Sequence, residues 1–212
     1  MELQQQRAQL AEYGRKLIWA GLTVGTGGNL SVRVGDTIAV TPSGIAYEDM
    51  RDEDIVLLDE NGEVKSGRYK PSSEAPMHCM FYRARTDRNA VVHTHSPAMT
   101  AFSCLRRPLP AISYLTALAG RAEIPCAPYV TFGTEELGRA AVEAAGGCDA
   151  VILANHGLVC LGQTLQQAFD LAQQLEFCAD IYMRCLASGQ APVLLTQQET
   201  EEAQRRFGTY GQ

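Results

Sequence analysis

Residues 29–41, NLSVRVGDTIAVT, hold the decision about the fold. LSVRV and TIAVT are short alternating runs joined at Gly35-Asp36, a pair that suits the tight turn of a β-hairpin. Strands joined by a hairpin run antiparallel, so this sheet is not assembled from consecutive parallel βαβ units alone. Upstream, residues 2–20 place Leu3, Leu10, Leu17 and Ile18 near one helical face, with Gly21 positioned to stop the helix. Downstream, IVLLD, Asn61-Gly62 and EVK predict a second hairpin. Pro71-Ser72-Ser73-Glu74 is expected to open a helix running to about Arg85, with a serine capping its first amides. AVVHTH (90–95) reads as a strand and Ser96-Pro97 as the start of another helix. Thr134 can cap a helix through Ala145 that ends at Gly146-Gly147, and AVILANHG (150–157) reads as a strand entering a turn, followed by LVCLG. Residues 164–187 form a long helical pattern, with Phe169, Ala172, Leu175, Ala179 and Tyr182 at spacings of three and four; residues 197–207 form the last helix. Hairpins followed by helices between single strands imply an α/β fold with a mixed or mainly antiparallel sheet. With no linker, repeat or low-complexity stretch, residues 1–212 are expected to form one domain.

Composition narrows the function. Eighteen Lys+Arg against 24 Asp+Glu leave a formal charge of −6, with no surplus of cations to neutralise a polyphosphate or an anionic membrane. Nucleic acid and membrane are therefore not expected as partners, and any anionic ligand must be small and locally held. At 46% hydrophobic and 20% charged residues, the chain can bury a core. It carries no membrane-length apolar run and no signal-like N-terminal stretch, and its seven cysteines are odd in number and contain no CxxC pair. Reduced thiols and a cytoplasmic location are the expectation.

The four histidines carry the chemistry. His93 and His95 alternate on one side of a strand and make a two-toothed metal clamp; His156, at the end of another apolar strand, can add a third nitrogen. Three imidazoles and one carboxylate fill a four-coordinate shell, although HxH alone also fits a hydrogen-bonded pair of core histidines. Glu74 follows serine hydroxyls at a helix start, which suits either a first-turn acid or a metal ligand and base beside an anion site. His78, four residues on, reads as a surface histidine or one behind the ligands. The loop Gly25-Thr26-Gly27-Gly28-Asn29, Ser43-Gly44 after Thr41-Pro42, and Ser72-Ser73 offer amides and hydroxyls; each is weak alone, but together they suggest a cradle for one phosphate.

GTGGNLSVR, TPSGI, KPSSE, VVHTHS, IPCAPYVTFGT, NHG and FGTYG, in this order from about Gly21 to Tyr210, resemble the class II aldolase/adducin family. The resemblance implies a three-layer α/β/α subunit and a homotetramer with active sites at subunit interfaces. It further implies a catalytic zinc, or another divalent transition metal, and cleavage of a phosphorylated ketose (a ketose 1-phosphate) to dihydroxyacetone phosphate and an aldehyde. In it, His93, His95 and His156 match the metal histidines, and Glu74 the carboxylate that ligates resting metal and then serves as acid and base. Gly28, Asn29, Ser43, Gly44, Ser72 and Ser73 match phosphate-binding positions. Tyr114 matches a tyrosine lent by the neighbouring subunit to exchange a proton with the aldehyde oxygen, while Phe132, Phe207 and Tyr210 match the aldehyde side. Epimerases, dehydratases and decarboxylases share the histidines, and adducin-like structural members have lost the metal ligands. All four ligand positions are filled here, Glu74 stands where an aspartate is expected for the epimerase, and no extra acid suits the dehydratase. Aldehyde-side phenylalanines suit an apolar-ended aldehyde, from L-fuculose 1-phosphate or from the salvage substrates 5-deoxyribulose 1-phosphate and 5-methylthioribulose 1-phosphate.

Overall fold

The computed structural model describes residues 3–208. Its elements in chain order are α1 (Gln4–Trp19), β1 (Asn29–Val34), β2 (Thr37–Val40), β3 (Val56–Leu58), β4 (Val64–Ser66), α2 (Ala75–Ala84) and β5 (Ala90–Thr94), then α3 (Pro97–Ser103), β6 (Cys126–Ala127), α4 (Glu135–Ala145), β7 (Ala150–Leu153), β8 (Gly157–Gly162), α5 (Leu165–Ala187) and α6 (Gln197–Phe207). Short 3-10 turns cover Asp52–Asp54 and Tyr114–Ala119.

The strands form one sheet in the order β4-β3-β2-β1-β5-β8-β7-β6. Every neighbouring pair is antiparallel except β6 with β7, so the sheet is mixed and mainly antiparallel, as the hairpin at Gly35-Asp36 implies. That hairpin closes in two residues, Val34 opposite Thr37, with Gly35 at φ +60°, where a side chain is strained. Alternation along the strands divides the core in two. Leu30, Val32, Val92, Ile152, Leu158 and Cys160 pack beneath residues of α1, α3 and α5; Val91, Val151, Leu153, Val159 and Leu161 pack against α2 and α4. The result is the three-layer α/β/α arrangement, with β5 in the middle of the sheet and buried on both faces.

Helix ends follow their local chemistry. Gly21 at φ +67° donates to the Ile18 carbonyl while Leu22 donates to that of Leu17, closing α1 as a Schellman motif. Thr134, Thr164 and Thr196 each accept a hydrogen bond from a first-turn amide of α4, α5 and α6. The expected helix start at Pro71–Ser73 is corrected. Ser72 donates its amide to the Thr41 carbonyl, Ser43 donates to that of Lys70, and Pro42 pairs with Pro71, so this segment stays extended beside residues 41–43. The helix begins only at Ala75, and Ser72 Oγ accepts the Glu74 amide just before it instead of capping the helix.

Candidate active site

The end of β5, the turn between β7 and β8, and the residue preceding α2 meet at one point. His93 shares the α2-facing side of β5 with Val91, and its position opposite Asn29 in the β1 register puts the glycine-rich loop directly beside it. A Cβ on Gly28 would lie 2.6 Å from the His93 carbonyl oxygen, and one on Gly27 would lie 2.9 Å from His95 Nδ1. Glycine is needed there because backbone touches the histidine strand. His156 arrives on a turn in which Asn155 takes φ +54°, a conformation asparagine tolerates better than most residues. The His156 amide donates to Ser103 Oγ at 3.2 Å, anchoring the turn to the end of α3.

Three imidazoles and a carboxylate converge. His93 Nε2 lies 3.1 Å from Glu74 Oε2 and 2.9 Å from His95 Nε2, and His156 Nε2 lies 3.4 Å from Glu74 Oε1. One ligand atom from each of Glu74, His93, His95 and His156 falls within 4.8 Å of all the others. A tetrahedral zinc shell separates its nitrogens by about 3.3 Å, so this spacing matches a divalent ion. The His93 Nδ1–H donates to the Leu158 carbonyl at 2.9 Å, which turns Nε2 inward toward the other ligand atoms. Burial, aided by the charge of His93, pushes His95 down to about 3 and His156 down to about 4, so both are neutral near pH 7. Burial works to raise Glu74, but His93, His156 and the Asn29 amide outweigh it and hold the carboxyl well below its ordinary range. Burial likewise opposes a charge on His93, and Glu74 overcomes it, raising that imidazole. The Glu74 carboxylate is the negative charge of the cluster, and its raising of His93 shows that it draws a positive charge to the centre. Glu74 Oε1 is buried without a hydrogen-bond partner, which fits a ligand oxygen.

The anion segments border the same point. Ser43-Gly44 and Ser72-Ser73 are brought side by side by the 41–43 and 70–72 pairing, and Gly133 lies against Ser73, which brings the loop bearing Phe132 to the same edge. Asn29 donates Nδ2 to Glu74 Oε2 at 2.8 Å, so its amide serves the carboxylate here. Tyr114 and Phe207 are elsewhere in the subunit. They stack on one another with ring centroids 5.9 Å apart, in a cavity of about 1300 Å³ shared with Arg88, Asp149 and Gly162. Those residues sit where β5 and β7 begin and β8 ends, the opposite end of the strands from the histidines, roughly 15 Å of strand away. Tyr210 lies outside the described residues.

Sequence reading did not single out Ser31, Tyr82, Ser103 or Arg106. Arg106 takes φ +51° and donates Nε to Asn155 Oδ1 at 2.6 Å, pairing two residues of unusual backbone next to His156. Asn155 in Asn-His-Gly was the available signal; Arg106 gave none. His78 is fully buried, excluding its reading as a surface residue.

The family Class II Aldolase and Adducin N-terminal domain matches residues 8–183. The chain is 46% identical, over the whole of both proteins, to a 5-deoxy-D-ribulose 1-phosphate aldolase of Bacillus thuringiensis serovar kurstaki. It is 44% identical to a 5-methylthioribulose-1-phosphate/5-deoxyribulose-1-phosphate aldolase of Rhodospirillum rubrum, over 97% of this chain and 92% of that one. A solved L-fuculose 1-phosphate aldolase superposes with a TM-score of 0.92 at 42% identity, covering 96% of each chain. From the convergent ligands and from these likenesses together, the chain belongs to the class II aldolase and adducin family.

Proposed function

We propose that this protein is a zinc-dependent aldolase that reversibly cleaves a ketose 1-phosphate into dihydroxyacetone phosphate and a small aldehyde, with 5-deoxyribulose 1-phosphate the first substrate to test. The observation that carries this reading is the meeting of Glu74, His93, His95 and His156 beside a glycine loop and two serine segments. An adducin-like structural role does not call for four convergent donors. Two relatives named for 5-deoxyribulose 1-phosphate are more similar to this chain than the fuculose-phosphate relatives at 40% identity, which sets the order of substrates.

Cleavage of the C3–C4 bond leaves an electron pair that must settle on the C2 oxygen as an enediolate. The chemistry supplied by a bound divalent ion is neutralisation of that developing charge. The chain's own groups do the rest. His93, fixed by Leu158, and His95 and His156, neutral at pH 7, hold the donor set in place. Glu74 exchanges a proton with C3: it is a weak base by its own acidity, and its position offsets that weakness. Ser43, Gly44, Ser72 and Ser73, with Gly28 and Asn29, bind the phosphate and so orient C3 toward Glu74. Tyr114 exchanges the proton of the C4 hydroxyl. Because Tyr114 is 58% exposed and sits at the far end of its own subunit, it serves the site of another copy; we propose a homotetramer with sites at its interfaces. Phe207 moves with it as its stacking partner, and Phe132, 67% exposed, faces the aldehyde from the first subunit. All seven cysteines are free thiols, and on that ground we propose a cytoplasmic location.

The test is a panel of ketose 1-phosphates assayed for release of dihydroxyacetone phosphate, compared by kcat/KM. The expected result is turnover of 5-deoxy- or 5-methylthioribulose 1-phosphate at least as efficient as that of L-fuculose 1-phosphate. Tight zinc binding with no release from any of them would overturn the reading in favour of a structural module.

A further inference from the structure

Below the metal ligands, β1 and α2 face each other through a ladder of polar side chains. Asn29, Ser31 and Arg33 alternate onto the α2 side of β1, while Glu74, His78 and Tyr82 recur at four-residue spacing from the start of α2. The first rung is Asn29 Nδ2 donating to Glu74 Oε2 at 2.8 Å. In the second, Ser31 Oγ lies 2.7 Å from His78 Nδ1 and 2.7 Å from the Tyr82 hydroxyl. The third is Arg33 Nη1 donating to the Tyr82 carbonyl at 2.7 Å. Ser31 and His78 are wholly buried. Three atoms of the upper two rungs are buried without a partner: Asn29 Oδ1, Glu74 Oε1 and His78 Nε2.

Hydrogen counting fixes the direction of the second rung. If His78 donated from Nδ1 to Ser31, and Ser31 to Tyr82, then Nε2 would be one more buried acceptor without a donor, and the Tyr82 hydrogen would have nowhere to go. If Tyr82 donates to Ser31 and Ser31 to His78 Nδ1, every hydroxyl hydrogen is used. The imidazole, kept neutral by burial, then carries its hydrogen on Nε2. The buried Nε2–H and the buried Asn29 Oδ1 are then a donor and an acceptor without partners, Glu74 Oε1 being the oxygen left to the metal. Successive rungs lie about 6–7 Å apart along the strand, too far for a direct hydrogen bond, so a donor on one rung reaches an acceptor on the next through water.

We infer that His78 is a positioning residue: held as the Nε2–H tautomer by the Tyr82–Ser31 hydroxyl chain, it supplies, through enclosed water, the donor that the unpartnered Asn29 Oδ1 lacks. Asn29 Oδ1 is thereby turned toward His78, and Nδ2 is left facing the Glu74 carboxylate. Without that donor the Asn29 amide is free to flip and set its carbonyl against the carboxylate. The effect on turnover rests on the aldolase reading above; the tautomer does not.

The test has two arms. In metal-loaded protein labelled with 15N-histidine, long-range proton–nitrogen correlation is expected to show His78 protonated at Nε2 and bare at Nδ1; the opposite tautomer overturns the inference. Removal of the ring in His78→Leu is expected to lower kcat and C3-proton exchange of dihydroxyacetone phosphate by about 10- to 100-fold with KM little changed. His78→Gln, whose amide presents an N–H near the position of Nε2, is expected to recover most of that loss. Equal losses in both variants mean a packing role only and overturn it. Should His78→Leu not fold, Ser31→Ala replaces it: the Nε2–H preference is expected to weaken and exchange to fall, and an unchanged tautomer with unchanged exchange refutes the ladder. Wild-type protein inert toward every ketose 1-phosphate but with the stated tautomer sinks the aldolase reading and leaves the ladder standing.

Discussion

Replacing Gly28 by alanine tests how closely the glycine loop is pressed onto the histidine strand. Gly28 has φ +70°, and its new Cβ would meet the His93 carbonyl oxygen at 2.6 Å, closer than any ordinary carbon–oxygen contact. That oxygen is sheet backbone, so relief requires β1 and β5 to move apart at the rung where Asn29 holds Glu74. Gly35→Ala is the matched control: φ is +60°, and nothing lies within 4 Å of its Cβ. Both variants carry the left-handed penalty of about 1–2 kcal/mol. Only Gly28→Ala adds an overpacking cost of about 1–3 kcal/mol. For a chain of this length each kcal/mol shifts Tm by about 2–4 °C, so Gly28→Ala is expected to melt roughly 2–12 °C below Gly35→Ala. Differential scanning calorimetry reads the difference, and metal analysis of the same samples is expected to show a loss of bound ion in Gly28→Ala alone. Equal melting temperatures with equal metal content would refute the close approach of loop and strand.

Glu74→Gln is expected to fold but lose C3-proton exchange of dihydroxyacetone phosphate, while Tyr114→Phe keeps exchange and loses cleavage; equal loss of both activities in Tyr114→Phe means a binding role for the tyrosine. Thiol titration of native protein is expected to find exposed Cys104 reactive, whereas Cys148 and Cys178, pushed by burial up to about 11 and about 12, react only after unfolding. Fast reaction of all seven thiols in native protein contradicts this. Stability of metal-stripped protein is expected to fall as pH drops below about 6.5, because His78, His95 and His156 take up protons in the unfolded chain but, with folded values of about 3, 3 and 4, not in the folded one. His93, raised by Glu74, acts with the opposite sign, its contribution fading as pH rises through its folded value, so the downward slope reflects three histidines against one. Urea melts from pH 7 to pH 4.5 that show no loss contradict the burial of the three.

What the sequence made legible was local. Gly35-Asp36 announced the hairpin, and the two-residue spacing of His93 and His95 announced their common side, because turn chemistry and strand alternation act over a few residues. The three layers were implied by the resemblance of the ordered motifs, and alternation along the strands is what produces them in the structure. The start of α2 was not legible, since what holds residues 70–72 extended is a pairing with Thr41 and Ser43 about 30 residues away. His78 was ambiguous for a like reason: its position on α2 is periodic, but its burial follows from the packing of α2 on β1, where it meets Ser31. Tyr114 shows the opposite limit. Its motif could be matched in sequence, yet one folded subunit places it at the far end of the strands from the histidines, so the role proposed for it requires a second chain. Strand β6, two residues long, is too short to show any alternation.

The central claim is that one divalent ion, held by Glu74, His93, His95 and His156, makes this chain an aldolase. Its most direct measurement is dihydroxyacetone phosphate release from 5-deoxyribulose 1-phosphate before chelation, after verified removal of metal, and after addition of one equivalent of zinc per subunit. The expected result is activity lost with the ion and regained with zinc, while the His156→Ala variant regains little. Full activity in protein shown to contain no metal would contradict the claim.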